Sequence, residues 1–324
     1  MAHPGMPKPV AVSTTKTALL TALKKLDEDK VAVARVLAME TDFRKRISSH
    51  VEALPLEDAL FTKFHTNPFV LLFHTLHKKY HHVSQIERDI LPAKLFSSME
   101  TSAGRMVEQV VFPVYGWSYV PSEMSSSESV IDGKQRAEKV LRLCSLKSGP
   151  RTLNDEMSEN IADAILANAP AWAKTEKMKE VDFTYGVLYG TRKQSNKKDW
   201  HILRHLADKV PKKDVVIRPE DKWYCTFKRD GVTVKVTVRI GTEWWNYLGA
   251  SNQTFLEMTC AMIRACVTPS DTEPEDYKFA IRDLKEIISL DPVPDDYNVS
   301  VLQRSQWEWL FFFTRHFYDE FENR

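Results

Sequence analysis

The sequence predicts a mixed α/β protein in which a central mixed sheet is flanked by helices and both ends of the chain are helical. Two observations lead to this prediction. Between about residues 130 and 240, short runs rich in β-branched and aromatic residues alternate with loops and with one long helical segment. Before and after this stretch, apolar residues recur three and four positions apart, which is the pattern of helices that bury one face.

The N-terminal quarter of the chain is predicted to be helical after a short tail. Residues 1–16 contain several prolines and no continuous apolar block, which indicates a flexible tail rather than a signal peptide. Residues 17–64 carry apolar side chains on one helical face. A new helix is expected to begin at Pro68, with Asn67 as its N-cap, and a further helix is expected over 101–111.

The sheet and the C-terminal region follow from the remaining patterns. Strands are predicted at 130–132, 139–147, 182–190, 200–206 and 232–241, with 134–138 as the turn between the first two. Helices are predicted from near Asn154, over 242–267, 276–290 and 303–321. The aromatic residues of the last helix suit either a dimer contact or a buried core.

The composition excludes several classes of protein. No apolar run approaches the ~20 residues of a membrane span. The four cysteines are scattered without a CxxC pair, so neither a disulfide framework nor a structural zinc site is indicated, and we expect a reducing cytoplasm. Four histidines between residues 74 and 82 share a helix face, but a partly exposed face explains them better than zinc. The net charge of +1 does not by itself indicate a nucleic-acid partner.

One acidic and one basic residue stand where two adjacent strands end. Asp132 follows Val130 and Ile131, and Lys147 ends the run KVLRLCSLK. Antiparallel neighbours would place both side chains at one end of the sheet. A carboxylate there can hold a divalent cation, and a lysine there can act on a water beside a phosphate. This pair therefore suits hydrolysis of a phosphodiester.

These residues also carry a family resemblance. Asp132 with Ser145-Leu146-Lys147 resembles the active-site core of the PD-(D/E)xK nucleases, and LCSLKSG is similar to the EcoO-type type II restriction endonucleases that cut RGGNCCY. Further matches follow in the same order: NPF at 67–69, GRMVE at 104–108, YGVLYG at 185–190 and EWWNYL at 243–248. The resemblance implies a sheet of the restriction-endonuclease type, a nuclease core over 65–267 and a separate helical region over 268–324.

The resemblance also implies roles for individual residues. Asp132 would ligate Mg²⁺, the backbone carbonyl of Leu146 would add an oxygen, and Lys147 would serve the attacking water. Glu108 is the candidate for a second acidic ligand. Ser145 occupies the position that the superfamily usually fills with Asp or Glu. It stands two residues before Lys147 on one strand, so we expect it to point toward the same metal and to support catalysis with one fewer anionic ligand.

Two basic segments are candidates for DNA contact. The loop with Arg192, Lys193, Lys197 and Lys198 is expected to touch phosphates, although a solvated connector is the alternative. Arg151 and Asn154 follow the catalytic strand and would lie near bound DNA. Either could read a base or bind a phosphate, and Asn154 could simply cap the following helix.

These patterns together predict a Mg²⁺-dependent type II restriction endonuclease that hydrolyses double-stranded DNA at a palindromic site. By family likeness the site is interrupted and GC-rich, the enzyme is a homodimer, and a cognate DNA methyltransferase is its functional partner. The alternative is a non-catalytic DNA-binding protein on a decayed nuclease fold, which the serine at position 145 suggests.

Overall fold

The computed structural model describes residues 8–53, 68–121, 129–211, 216–218, 223–269, 286, 293–294 and 296–323. Its helices and strands, in chain order, are β1 (Ser13–Thr15), α1 (Lys16–Glu28), α2 (Lys30–Glu52), α3 (Pro68–Lys78), α4 (Glu87–Val114), β2 (Ser118–Tyr119), β3 (Gly133–Ala137), β4 (Val140–Lys147), α5 (Asp155–Thr175), β5 (Glu180–Val187), α6 (Lys198–Lys209), β6 (Val216–Arg218), β7 (Tyr224–Arg229), β8 (Val232–Ile240), α7 (Thr242–Leu248), α8 (Thr254–Cys266), α9 (Trp307–Arg315) and β9 (Glu320–Glu322).

A mixed sheet occupies the centre of the protein. Within the described part of the chain it has seven strands in the order β2-β3-β4-β5-β8-β7-β6. β4, β5 and β8 run parallel to one another, whereas the outer strands pair antiparallel. The parallel strands are Val- and Leu-rich because helices cover them on both faces. This architecture confirms the predicted mixed α/β fold.

The two faces of the sheet belong to two cores. α5 and α6 cover one face, where Leu143, Phe183 and Leu203 are buried together. α2, α4, α7 and α8 cover the other, where Cys144 packs with residues such as Trp244. Successive residues of β4 therefore point into different cores, as side chains on a strand alternate. The end of β4 therefore lies between two helical layers.

The two ends of the described chain meet in a small second sheet. β1 pairs parallel with β9, and the amide of Val12 donates to Asp319 Oδ2 at 2.9 Å. Residues 13–15 were assigned to a flexible tail, and that assignment is wrong for this segment. Its partner lies 307 residues away in sequence, so no local pattern could reveal the pairing.

Three predicted elements differ from the structure. Residues 200–206 form part of helix α6 rather than a strand, because Trp200, Leu203 and Leu206 share one buried helical face. Residues 134–138 belong mostly to β3, and the turn lies at Glu138, whose φ is +47°. The last helix ends at Arg315, and its buried face makes it a core helix.

Other predicted elements are present with altered bounds or cannot be placed. The helix predicted over 101–111 is the second half of α4. Asn67 and, apart from Glu286, the predicted helix 276–290 lie outside the described residues. None of the described helices combines the length and the apolar character that a membrane crossing requires.

Candidate active site

Asp132 is fixed against strand β4 by two backbone contacts. Its amide donates to the carbonyl of Cys144 at 2.8 Å, and its Oδ2 accepts from the amide of Leu146 at 2.6 Å. Asp132 immediately precedes β3 instead of ending a strand of its own, as had been predicted. The expected meeting of Asp132 with the end of β4 nevertheless holds, because Gly133 pairs with Cys144 in the antiparallel ladder.

Helix α4 brings Glu108 to the same place. The close approach of this helix depends on Gly133, since a Cβ at that position would overlap the ring of Phe112 and press on Cys144 Sγ. Val107, Val110 and Val111 bury the inner side of α4 in the core, which leaves Glu108 at the margin of the core. The carboxylate of Asp132 is close enough to raise the pKa of Glu108.

The residues at the end of β4 line an open cleft of about 370 Å³. Asp132, Leu146, Lys147 and Ser148 form its sheet side. Glu108 and other residues of α4, together with Tyr119 of β2, form its helical side. The structure therefore places Asp132, Glu108, Leu146 and Lys147 in one solvent-accessible site, although Asp132 and Lys147 are separated by a complete β-hairpin in the sequence.

The positive charges near the two carboxyl groups of the cleft are too few to keep the pKa values of these groups in their usual range. Burial and the neighbouring Asp132 raise the pKa of Glu108 to about 8, and Lys147 and Arg105 only partly offset this. Burial also raises the pKa of Asp132, against the opposing effects of the Leu146 amide, Lys147 and Ser145. A carboxyl group with a pKa near 8 is mostly protonated at neutral pH, and a bound cation would reverse that preference.

The donor set of the cleft fits a hard divalent cation. Two carboxylates and a nearby backbone carbonyl are oxygen ligands of the kind that Mg²⁺ takes, with water and phosphate oxygens completing the shell. Within the described residues, no group of three or more His, Cys, Asp or Glu side chains could hold a metal ion. Of the four histidines expected on one helix face, His81 and His82 lie beyond the end of α3, and His74 contacts Asp89 at 2.7 Å. A cation in the cleft would therefore depend on a small set of protein ligands.

Ser145 lies behind the cleft. It is only 4% exposed, it is absent from the cleft wall, and its side chain interacts with the Asp132 carboxylate, whose pKa it lowers. Ser145 was expected to point toward the metal with Lys147. The structure brings it to Asp132, so its effect on a cation would pass through that carboxylate.

We expect Ser145→Ala to lower the cleavage rate by about 10–100-fold, the range found when a group that orients a metal ligand is lost. The loss should be far smaller than for Asp132→Ala, because alanine leaves both carboxylates in place. Single-turnover cleavage rates at saturating Mg²⁺ measure this effect. Ser145→Thr is the matched control, since it keeps the hydroxyl. A Ser145→Ala rate as low as that of Asp132→Ala would make the hydroxyl a primary participant.

The two basic segments lie together beside the cleft. Arg151 Nε donates to the carbonyl of Gln194 at 3.0 Å, and Asn196 Nδ2 donates to the carbonyl of Leu153 at 2.8 Å. These contacts join the loop after β4 to the loop after β5. Because β4 and β5 are parallel, both loops leave the sheet at the edge that carries Lys147. All six residues predicted to contact DNA therefore belong to one surface.

The individual residues of this surface differ in what they can still bind. Asn154 caps α5, its Oδ1 accepting from the Met157 amide at 2.8 Å. Arg192 pairs with Glu243 at 2.9 Å and stacks 4.9 Å from the Trp223 ring centroid.

The lysines of the surface also differ. Lys197 donates to the Arg192 carbonyl at 2.7 Å, and burial lowers its pKa. Lys198 contacts Asp155 at 2.7 Å, whereas Lys193 is exposed. Lys193 and Arg151 are thus well placed for an outside ligand, and Lys198 can exchange its exposed contact with Asp155 for one. The partly buried contacts of Arg192 and Lys197 stabilise the loop itself.

Sequence reasoning missed part of the cleft wall. The cleft side of α4 carries Glu100, Gly104 and Glu108, which follow one another at intervals of four residues, and Arg105 lies beside them. The eight-residue spacing of Glu100 and Glu108, a little over two helical turns, was the available signal. Tyr119 gave no such signal, because its place opposite Gly133 follows only from the strand pairing.

Comparison with known families agrees with this geometry. The family model described as Type II restriction endonuclease EcoO109I matches residues 32–207, just over half of the chain. The matched span contains the described residues from α2 to α6, including the whole cleft and both basic loops. No curated protein sequence matches the chain.

Proposed function

The chain belongs to the type II restriction endonuclease EcoO109I family and is a site-specific deoxyribonuclease acting on double-stranded DNA, and from this premise we propose that it works with Mg²⁺ in the cleft at the end of β4. The observation that carries the proposal is the meeting of Asp132, Glu108 and Lys147 around one open cleft, with both carboxyl pKa values raised. A divalent cation would stabilise the ionised form of both carboxyl groups at such a site.

The roles proposed for the residues follow from their positions. Asp132, Glu108 and the carbonyl of Leu146 would hold the cation. When bound, the cation would supply Lewis-acid neutralisation of the charge that develops on the scissile phosphate. The Leu146 amide fixes the orientation of Asp132, and Ser145 supports the same carboxylate from behind. Lys147 would act on the attacking water in one of two ways: its ammonium would stabilise the hydroxide as it forms, or its neutral amine would accept the proton of the water. Arg105, exposed on the opposite wall, is placed to meet a phosphate oxygen.

The path of the DNA backbone is proposed to continue from the cleft over the two basic loops. Lys193, Lys198 and Arg151 offer cations to phosphates along this line. We propose further that the target is an interrupted, GC-rich palindrome, read by a homodimer whose two-fold axis coincides with that of the site. A cognate methyltransferase would protect host DNA at the same sequence, and the pair would work in the cytoplasm.

Replacing Lys193 and Lys198 together with alanine should weaken binding to specific and random DNA alike. The slope of log K against log salt should flatten by about one unit per lost phosphate contact. Binding titrations of catalytically inactive protein at several salt concentrations measure this slope. Lys228→Ala is the matched control, because this exposed lysine of β7 pairs next to the hairpin at the opposite end of the sheet. If the wild type, the double variant and Lys228→Ala gave equal slopes, the loop would be a connector that does not contact phosphates.

The alternative function is DNA binding without catalysis, and the serine at position 145 is the observation that favours it. Incubation of purified protein with plasmid and Mg²⁺ separates the two. The enzyme yields discrete fragments, and sequencing their ends gives the target site. Specific binding with no cleavage across a range of divalent cations would contradict the catalytic role of the cleft and support the alternative.

A further inference from the structure

The segment that precedes β9 contacts the basic loop that follows β5. Asp319 accepts a hydrogen bond from the hydroxyl of Thr191 at 2.6 Å and another from the amide of Val12 at 2.9 Å. Its own amide donates to the carbonyl of Val12 at 2.7 Å. Thr191 and Val12 lie 128 and 307 positions from Asp319 in the sequence. One carboxylate therefore joins both terminal segments of the described chain to the loop after β5.

A second contact of the same segment lies one residue away in the loop. Gly190 donates its amide to the carbonyl of His316 at 2.9 Å, with a φ of +97° that favours glycine. A Cβ at this position would press on the ring of Pro150 and on the side chain of Gln194. Because Gly190 and Thr191 are consecutive, the C-terminal segment holds the loop shortly after β5 ends.

Thr191 is the first residue of the turn that carries an exposed lysine. The amide of Gln194 donates to the Thr191 carbonyl at 3.1 Å, which closes a four-residue turn with Arg192 and Lys193 at its centre. Lys197 Nζ donates to the carbonyl of Arg192 at 2.7 Å. Thr191 is 3% exposed, whereas Lys193 is exposed. The base of the turn is thus buried and held, and its tip presents a cation to solvent.

We propose that Asp319 is a positioning residue for DNA binding, which holds Thr191 so that the turn presents Lys193 to a phosphate of the duplex. A carboxylate repels phosphate, so the contribution of Asp319 passes through Thr191 and not through a contact of its own. A turn that is fixed before DNA arrives has less conformational freedom to lose on binding. This inference rests on the proposed function, in which the basic loop contacts phosphates.

The contact brings in parts of the chain that the family model does not match. Val12 and Asp319 both lie outside the matched residues 32–207, whereas the turn lies inside them. The charge of Asp319 also reaches the loop. Burial lowers the pKa of Lys197, and the charges of Asp199 and Asp319 oppose that effect. The two terminal segments therefore complete a surface whose cations belong to the matched span.

Electrostatic attraction and positioning predict opposite results for Asp319→Ala. Removal of a negative charge beside a cationic loop would, by charge alone, strengthen the attraction for phosphates. Loss of the hold on Thr191 frees the turn and weakens the contact of Lys193. We expect the second effect to be larger. The Kd for random duplex DNA should rise about 10-fold at about 0.1 M salt, and the slope of log K against log salt should flatten by about one unit.

Binding titrations of the full chain with random-sequence duplex DNA, in the absence of divalent cations, measure both quantities. Glu320→Ala is the matched control, because it removes the exposed carboxylate of the next residue and keeps the backbone pairing of β9. Its Kd should not rise. In a Lys193→Ala background, Asp319→Ala should have almost no further effect on Kd, because the cation that it positions is gone.

Thr191→Val is a second variant that decides the matter even if Asp319→Ala unfolds the small terminal sheet. It removes the hydroxyl that Asp319 binds, changes no charge, and leaves the Thr191 carbonyl to accept from Gln194. We expect its Kd to rise as in Asp319→Ala, with a circular dichroism spectrum of a folded chain. Thr191→Ser keeps the hydroxyl and should restore wild-type binding.

The outcomes separate this inference from the proposed function. If Lys193→Ala weakens binding but Thr191→Val and Asp319→Ala do not, the positioning role is wrong and the phosphate contact stands. An equal loss from Asp319→Ala with and without Lys193 would also overturn the positioning role, since the effect would not pass through that lysine. If Lys193→Ala binds DNA as the wild type does, the proposed phosphate contact fails, and the positioning role fails with it.

Discussion

Asp132→Ala is expected to lower the rate of DNA cleavage by about 10³-fold or more, in a protein that still folds and still binds its site. The structure fixes Asp132 by two backbone contacts: its Oδ2 accepts from the Leu146 amide at 2.6 Å, and its own amide donates to the carbonyl of Cys144. Its loss would remove one of the two carboxylates on which the charge of Lys147 acts. Single-turnover cleavage of a DNA fragment that contains the site, with Mg²⁺ at saturation, measures the effect.

Asp163→Ala provides the control for Asp132→Ala. Asp163 is a half-exposed carboxylate of α5 that pairs with Lys209 at 2.7 Å, on the helical layer that covers the other face of the sheet. Its removal should leave cleavage unchanged. DNA binding should be similar in both variants, because removing a negative charge from the cleft does not weaken phosphate contacts. Cleavage by Asp132→Ala at near the wild-type rate would exclude the cleft as the active site.

Lys147→Ala is expected to cost about 10²–10⁴-fold in cleavage rate, the range of a group that transfers a proton and stabilises charge in the transition state. Lys147 lines the cleft at the end of β4, and its charge acts on both Glu108 and Asp132. The same single-turnover assay applies, with DNA affinity measured in parallel.

Lys147→Arg separates the two roles of this lysine. Arginine keeps the positive charge but does not give up its proton in proteins. Partial recovery in Lys147→Arg would assign mainly an electrostatic role, and a rate as low as that of Lys147→Ala would assign proton transfer. A Lys147→Ala enzyme that cuts at the wild-type rate would contradict both roles.

Much of this site could be predicted from the sequence because it depends on strand ends. The run KVLRLCSLK is apolar over most of its length and closes with a lysine, and the structure has β4 there with Lys147 as its last residue. The pairing with Asp132 needed only the assumption that neighbouring runs form adjacent strands. The strand predicted over 130–132 shares no residue with β3, but this error did not matter for the site, since the ladder still sets Asp132 beside β4.

Long-range features could not be predicted in the same way. The strand pairing of residues 13–15 with 320–322 joins segments that have no common pattern. The segment 200–206 was misread because Trp, Ile and His are compatible with a strand, and only its position under the sheet makes the helical period decisive. The orientation of Ser145 toward Asp132 depends on where β3 lies, which a strand pattern alone does not give.

Calorimetric titration of Mg²⁺ into the protein at pH 7 tests the central claim most directly, because it measures whether Asp132 and Glu108 hold the cation. With its pKa raised to about 8, Glu108 must release a proton to bind, so affinity should rise with pH through that range. Titrations in two buffers of different ionisation enthalpy should show about one proton released per chain in the wild type and almost none in Glu108→Gln. Asp132→Ala should lose the binding heat. Mg²⁺ bound equally well by Asp132→Ala and the wild type would contradict the account.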